Sequence, residues 1–196
     1  MVSESTPAKD AKRVRTRIAL LEVARAVIRE RGYERTTLEA VAERAGMTTG
    51  AIYGNFKNRN EMFVTLGQVY WAPIKPRLRP GASLPEVMRA LADATLATLP
   101  DRTTAVVGRL TGLAHAVGDD DLRAQVGQVT ADSYALGAEW LRGLGCDLPM
   151  PAEHLVRVIH ALSEGLVLQR ILTPDLVPDE VVHAAFDALA RGAPRP

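Results

Sequence analysis

The stretch that decides how this chain is read runs from residue 36 to residue 63, TTLEAVAERAGMTTGAIYGNFKNRNEMF. Thr37 stands where a side-chain cap would start a short helix, and Leu38, Val41, Ala42 and Ala45 then fall on one face at helical spacing. Gly46 ends that helix. Thr48 caps another, predicted to run through Phe56 with Ile52 and Phe56 turned inward. Two short helices joined by a tight turn form a helix-turn-helix, whose second helix can lie in the major groove of DNA.

The residue choice fits that geometry. Thr48, Thr49, Gly50 and Ala51 crowd the start of the second helix with small groups, so its backbone amides can come close to a phosphate. Tyr53, Lys57 and Arg59 supply a hydroxyl and two cations for the flanking backbone. The methyl groups of Thr49 and Ala51 suit thymine methyls. No Arg or Lys occurs in that helix before Lys57, so guanine reading falls to Arg44 or to an N-terminal arm carrying Lys9, Lys12, Arg13 and Arg15.

Around this core the pattern stays helical, with little period-2 alternation. Ile18, Leu21, Ala24, Val27 and Ile28 form the apolar face of a first helix that stops at Gly32. Asn58, with Glu61 three residues on, caps a fourth helix whose apolar side is Met62, Phe63, Leu66, Val69 and Tyr70. Pro73 and Pro76 end it. The proline-rich segment 73–85 marks the domain junction.

Beyond it, Ser83 and Glu86 bracket a capping box for a fifth helix carrying Leu84, Val87, Met88, Leu91 and Leu99. A sixth spans about Thr103 to Val117. Asp119, Asp120 and Asp121 open a seventh, which presents Leu122, Val129, Leu136 and Trp140. From Pro151 to Leu172 apolar residues go most of the way round the helix, so it must be covered all round. A last helix with Val182 and Phe186 returns beside it. Two such hairpins from two chains would make a four-helix bundle, with Leu155, Ile159, Leu162, Leu166, Val182 and Phe186 in a homodimer interface.

The whole chain of 196 residues is long enough to bury a core unaided. Cys146 is its one cysteine, which excludes an intrachain disulfide and a multi-cysteine zinc site. With no secretory signal at the N-terminus and no apolar run of membrane-spanning length, a soluble cytoplasmic protein is expected. The net charge of +1 hides an asymmetry: residues 1–60 hold 12 Lys/Arg against 7 Asp/Glu, and the remainder 12 against 16. A basic module on an acidic body points to a polyanion partner for the first third.

Residues 36–63 also resemble the signature of the TetR family of bacterial transcriptional regulators: a Thr-Thr cap, a Val-Ala pair, Ala-Gly, a second Thr cap, a Gly, an aromatic, and a Phe followed by a basic residue. The similarity is specific over residues 17–66. It implies a homodimer, a repressor in most cases, that binds a palindromic operator in double-stranded DNA and often releases it when a small molecule fills a C-terminal pocket. Carried over by position, phosphate contacts fall on Thr37, Thr48, Tyr53, Lys57 and Arg59, and base contacts on Thr49, Gly50, Ala51 and Arg44. Asn55 stands where the family commonly has His, and as an amide it could bond phosphate or adenine.

The resulting expectation is an all-α protein: a flexible basic arm at 1–12, a three-helix helix-turn-helix domain at 13–58, a connecting helix at 59–76, and a helical ligand-binding and dimerisation domain at 77–196. Met88, Leu91, Leu110, Thr111, His115, Leu136 and Trp140 are expected to line a mostly apolar pocket for a small apolar effector. Trp71, at the end of the fourth helix, is expected among the ligand contacts, and that helix would carry the switch. A regulator without an effector, whose second domain only dimerises or docks a protein, is the alternative. An enzyme is disfavoured: His160 and Glu164 at i, i+4 lack a further ligand, Cys146 lacks a neighbouring His, and no phosphate loop or dinucleotide fingerprint occurs. No cofactor, metal or catalytic residue is therefore expected.

Overall fold

The computed structural model describes residues 7–70, 74–79 and 81–191. Its described residues are all-helical: α1 (Pro7–Arg31), α2 (Leu38–Arg44), α3 (Thr49–Tyr53), α4 (Arg59–Tyr70), α5 (Leu84–Ala97), α6 (Leu99–Gly118), α7 (Asp120–Gly143), α8 (Ala152–Leu172) and α9 (Asp179–Arg191), with a 3-10 turn at Pro174–Leu176. None of these helices is long and apolar enough to cross a membrane. The chain divides into two compact units, residues 1–71 with 105–126 and residues 72–104 with 127–196. Most of α6 and the start of α7 thus cluster with the N-terminal helices, across the boundary expected at residue 77.

The core of the first unit is Leu20, Leu21, Ala24, Val27 and Ile28 of α1 with Leu38, Val41, Ala42, Ile52, Phe56, Met62 and Phe63, completed by Ala116 and Leu122. These positions recur at three and four residues along each helix, so every helix turns one apolar stripe inward. Ile18 and Val69, expected on those stripes, are exposed instead. The arm expected over 1–12 is already α1 from Pro7 onward. The side chains of Lys9 and Tyr70, and the whole of Trp71 and Pro73, lie outside the described residues.

In the second unit α9 lies along α5, and both also touch α8. Val87, Met88, Leu91 and Ala92 meet Val182 and Phe186, with Ala138, Leu141, Ala152 and Leu155 closing the core. The capping box of α5 forms: the Ser83 amide and hydroxyl both donate to Glu86 Oε2, at 2.8 and 2.7 Å, and Arg79 pairs with the other oxygen. Those two Ser83 bonds and Arg79 hold the Glu86 carboxyl down to about 2. Leu99, assigned to the fifth helix from sequence, opens α6. Between α7 and α8, a Cβ at Gly137 would stand 2.5 Å from Val156 Cγ2, so glycine sets that close approach.

Three residues expected at a dimer interface belong to this core. Leu155, Val182 and Phe186 are fully buried within one chain. Ile159, Leu162 and Leu166 are half-buried and pack against the same core. The reason is that the apolar face of α9 is spent on α5, rather than on a hairpin with α8 alone.

Candidate nucleic-acid interface

The helix-turn-helix is built almost entirely from short-range chemistry. Thr37, in extended backbone, caps α2 by accepting the Ala40 amide at 3.1 Å. At the other end the Met47 amide donates to Ala42 O (2.9 Å) and the Gly46 amide to Glu43 O (3.0 Å), the paired bonds of a Schellman turn. That turn needs a left-handed residue, and Gly46 sits at φ +63°. Thr48 then caps α3, its hydroxyl accepting the Ala51 amide at 3.2 Å. Ile52 and Phe56 are fully buried and fasten α3 to the core. The helix closes at Tyr53, a turn sooner than expected, with Gly54 as its C-cap.

This leaves an outer surface of small and hydroxylated groups. Thr37, Thr48, Thr49, Gly50 and Lys57 are exposed, and Ala51 is half-buried. The first amides of a helix have no partner inside it, so a capped, uncrowded N-terminus suits approach to a phosphate. Tyr53 is exposed, and its hydroxyl donates to Glu39 Oε1 at 2.5 Å. This bond raises the Tyr53 pKa and lowers that of Glu39. Arg44 forms a two-pronged pair with Glu30, which lowers the Glu30 pKa. Both side chains therefore have an acidic partner within the chain.

Two expected DNA contacts are otherwise engaged. Asn55 is buried; its Nδ2 donates to Ala51 O at 2.8 Å, so it serves the end of α3 rather than an outer surface. The Arg59 guanidinium lies 4.6 Å over the Tyr33 ring and reaches the Glu34 carbonyl at 3.4 Å. Tyr33, whose pKa is raised by burial, also stacks on His115 at 4.0 Å and meets Phe63 edge-on at 3.9 Å. Asn58 caps α4 through Glu61 N at 2.8 Å, while the Glu61 carboxylate reaches back one residue further than a capping box, to the Lys57 amide at 2.7 Å.

The residues expected to line a pocket fall in both units. Met88 and Leu91 are fully buried in the second unit, where Trp140 is half-buried and Leu136 is 56% exposed. Leu110, Thr111 and His115 belong to the first unit, Leu110 exposed and His115 taken up by Tyr33 and, at 3.1 Å, by Glu34. Trp71 lies outside the described residues. His160 lies 3.7 Å from Glu164 and meets Tyr134 edge-on, and no group of three or more His, Cys, Asp or Glu among the described residues is arranged to hold a metal. Sequence reasoning missed Arg17 and Arg102: Arg102 is 4% exposed in α6, and nothing in the periodicity marked it as an inward cation.

A capped helix, a left-handed glycine turn and a second capped helix with a small, polar outer face define a helix-turn-helix DNA-binding protein. Residues 20–66 match the family described as bacterial regulatory proteins, tetR family, and residues 82–192 match the tetracyclin repressor-like C-terminal domain. The chain belongs to the TetR family and is a transcriptional regulator with an N-terminal DNA-binding domain.

Over 51 residues it is 45% identical to the HTH-type transcriptional regulator TtgR of Pseudomonas putida, covering 26% of this chain and 24% of that protein. The chain thus spans about a quarter of the length of the curated relatives it matches. A transcriptional regulator from Rhodococcus sp. Rha1 superposes with a TM-score of 0.62 at 25% identity, over 89% of this chain and 94% of the other. SmeT, solved as a complex with triclosan, shares the fold with a TM-score of 0.59 at 20% identity, over 89% of each chain. TtgR and the Rhodococcus protein are both transcriptional regulators.

Proposed function

We propose that the protein is a ligand-responsive repressor that binds a palindromic operator as a homodimer and is released by a small, mostly apolar molecule. The observation that carries the DNA-reading part is the exposed set Thr49, Gly50 and Tyr53 on a five-residue helix capped by Thr48, with Lys57 exposed just beyond its end. Thr49, Gly50 and Ala51 read base edges; Thr37, Thr48, Tyr53 and Lys57 hold phosphates. Arg44 joins them by leaving Glu30, and Tyr53 by leaving Glu39. Val158 on α8 and Val181 on α9 are exposed in the single chain, which supports dimerisation through those helices with Ile159, Leu162 and Leu166 beside them. An apolar effector is supported by the shared fold of SmeT, solved with triclosan.

Selection of genomic DNA fragments by the purified chain at two salt concentrations tests this reading. The expected result is one palindromic site whose binding weakens as salt rises. Lys57→Ala should lower the slope of log affinity against log salt by about one unit, and an unchanged slope would remove Lys57 from the phosphate contacts. A second reading, a regulator with no effector, is favoured by the full burial of Met88 and Leu91 in the core of the second unit. Triclosan and similar apolar molecules that neither raise the melting temperature nor alter operator affinity would select it.

A further inference from the structure

We propose that Arg17 is a positioning residue for DNA reading, fixing the exit of α3 from a place on α1. It lies outside the matched stretch 20–66 and carries no DNA-contact assignment. A helix of five residues cannot hold itself, because too few bonds offset the cost of nucleating it. Its start is set by the Thr48 cap and its inner side by Ile52; its exit, from Gly54 to Asn58, is held by the buried Phe56 and the Asn55 amide and needs a further tie to fix its backbone against α1 and α4.

Arg17 supplies it. Its Nη1 donates to the backbone carbonyl of Asn55, and its Nη2 donates to Thr65 Oγ1 at 2.9 Å and lies 3.4 Å from Glu61 Oε1. The guanidinium carbon sits 4.3 Å over the Phe56 ring. The second oxygen of Glu61 accepts the Lys57 amide, so the same carboxylate links Arg17 to the residue expected to grip phosphate. One planar fork thus joins α1, the backbone after α3, and α4. Lysine, a single ammonium on a flexible stem, cannot serve the carbonyl, hydroxyl, carboxylate and ring together.

The consequence is specificity rather than charge. With Arg17 fixed, α3 presents Thr49, Gly50 and Tyr53 at one angle; with it loosened, phosphates are still attracted but base edges are met out of register. This rests on the DNA-reading role of α3 proposed above. The test uses the full chain as wild type, Arg17→Lys and Glu61→Gln, with anisotropy measured on the wild-type-selected duplex and a scrambled one over a range of salt. Amide hydrogen exchange is followed on the free proteins.

Arg17→Lys is expected to lose about tenfold in affinity for the selected duplex, roughly the worth of one charge-assisted hydrogen bond, while binding the scrambled duplex as before with the same salt slope. Exchange should speed up at residues 50–57 and stay unchanged at residues 20–28. Glu61→Gln should move both readouts the same way by less. A salt slope reduced by about one unit would mean that Arg17 itself grips phosphate, and would overturn the proposal. Equal losses on both duplexes, or unchanged exchange at 50–57, would overturn it as well. If the wild type selects no duplex, the operator reading fails, and the exchange measurement alone decides whether Arg17 holds the exit of α3.

Discussion

The turn between α2 and α3 and the packing of α5 against α9 solve the same problem, holding one helix against another, by opposite means. Between Thr37 and Ala51 the hold is two hydroxyl caps and two backbone bonds, each linking residues at most five apart. Between α5 and α9 it is buried side chains such as Met88 and Phe186, with His183 Nε2 2.7 Å from Asp93 Oδ1, ninety residues distant. The first region is fixed by bonds between near neighbours in the chain. The second exists only once distant chain segments have met, so its stability lies in apolar contact.

The largest break should come from the second region. Phe186→Ala, at a fully buried site, is expected to cost about 3–5 kcal/mol, read by urea unfolding, and a loss under about 1 kcal/mol would mean that α9 is not held by packing. Gly46→Ala puts a side chain in left-handed backbone and should cost roughly 1–2 kcal/mol. It should also lower DNA affinity, since the turn sets the angle of α3. Thr48→Ala removes one cap for about 1 kcal/mol, with hydrogen exchange raised at the start of α3 and little effect in α5 or α9.

The smallest effect is a pH dependence at the α5–α9 contact. His183 has an acceptor at each ring nitrogen, Asp93 Oδ1 and, at 2.9 Å, the Asp179 carbonyl, and only the protonated ring can donate to both. Asp93 first and the Asp179 carbonyl second raise its pKa above the usual 6.5, against lowerings from desolvation and then from Arg89. Its contribution should be full below about pH 6.5 and fade as pH rises through the raised value. NMR titration of His183 in the wild type and in Asp93→Asn checks this: the substitution should bring the pKa down, and an unmoved value would exclude the pair.

These regions differ in legibility for the same reason. Thr37, Gly46, Thr48, Ser83 and Glu86 act within a few residues of themselves, so their roles stand in the sequence. Asn55 misled because an amide on a short polar helix reads as a DNA contact, whereas its donor is satisfied by Ala51 O, four residues back. Ile18 misled because it lies on the stripe of Leu21, although the core begins only at Leu20. The expected pocket set falls in two units because periodicity shows which face of a helix is apolar, not which unit that face completes. Arg17 was invisible: its partners lie 38, 44 and 48 residues away, and an arginine on α1 reads as a solvated charge.

The allotment of residues 105–126 bears on how such a gene could be recombined. A crossover at residue 77, the natural place to splice one reader onto another body, would strip the reader of Ala116 and Leu122 from its core and of the His115 ring stacked on Tyr33. A chimaera would inherit foreign side chains at those three positions, so its DNA-reading half would have to be redesigned or chosen from close kin. In this chain the portable cassette is therefore discontinuous, and exchange of its two units by a single cut is closed off.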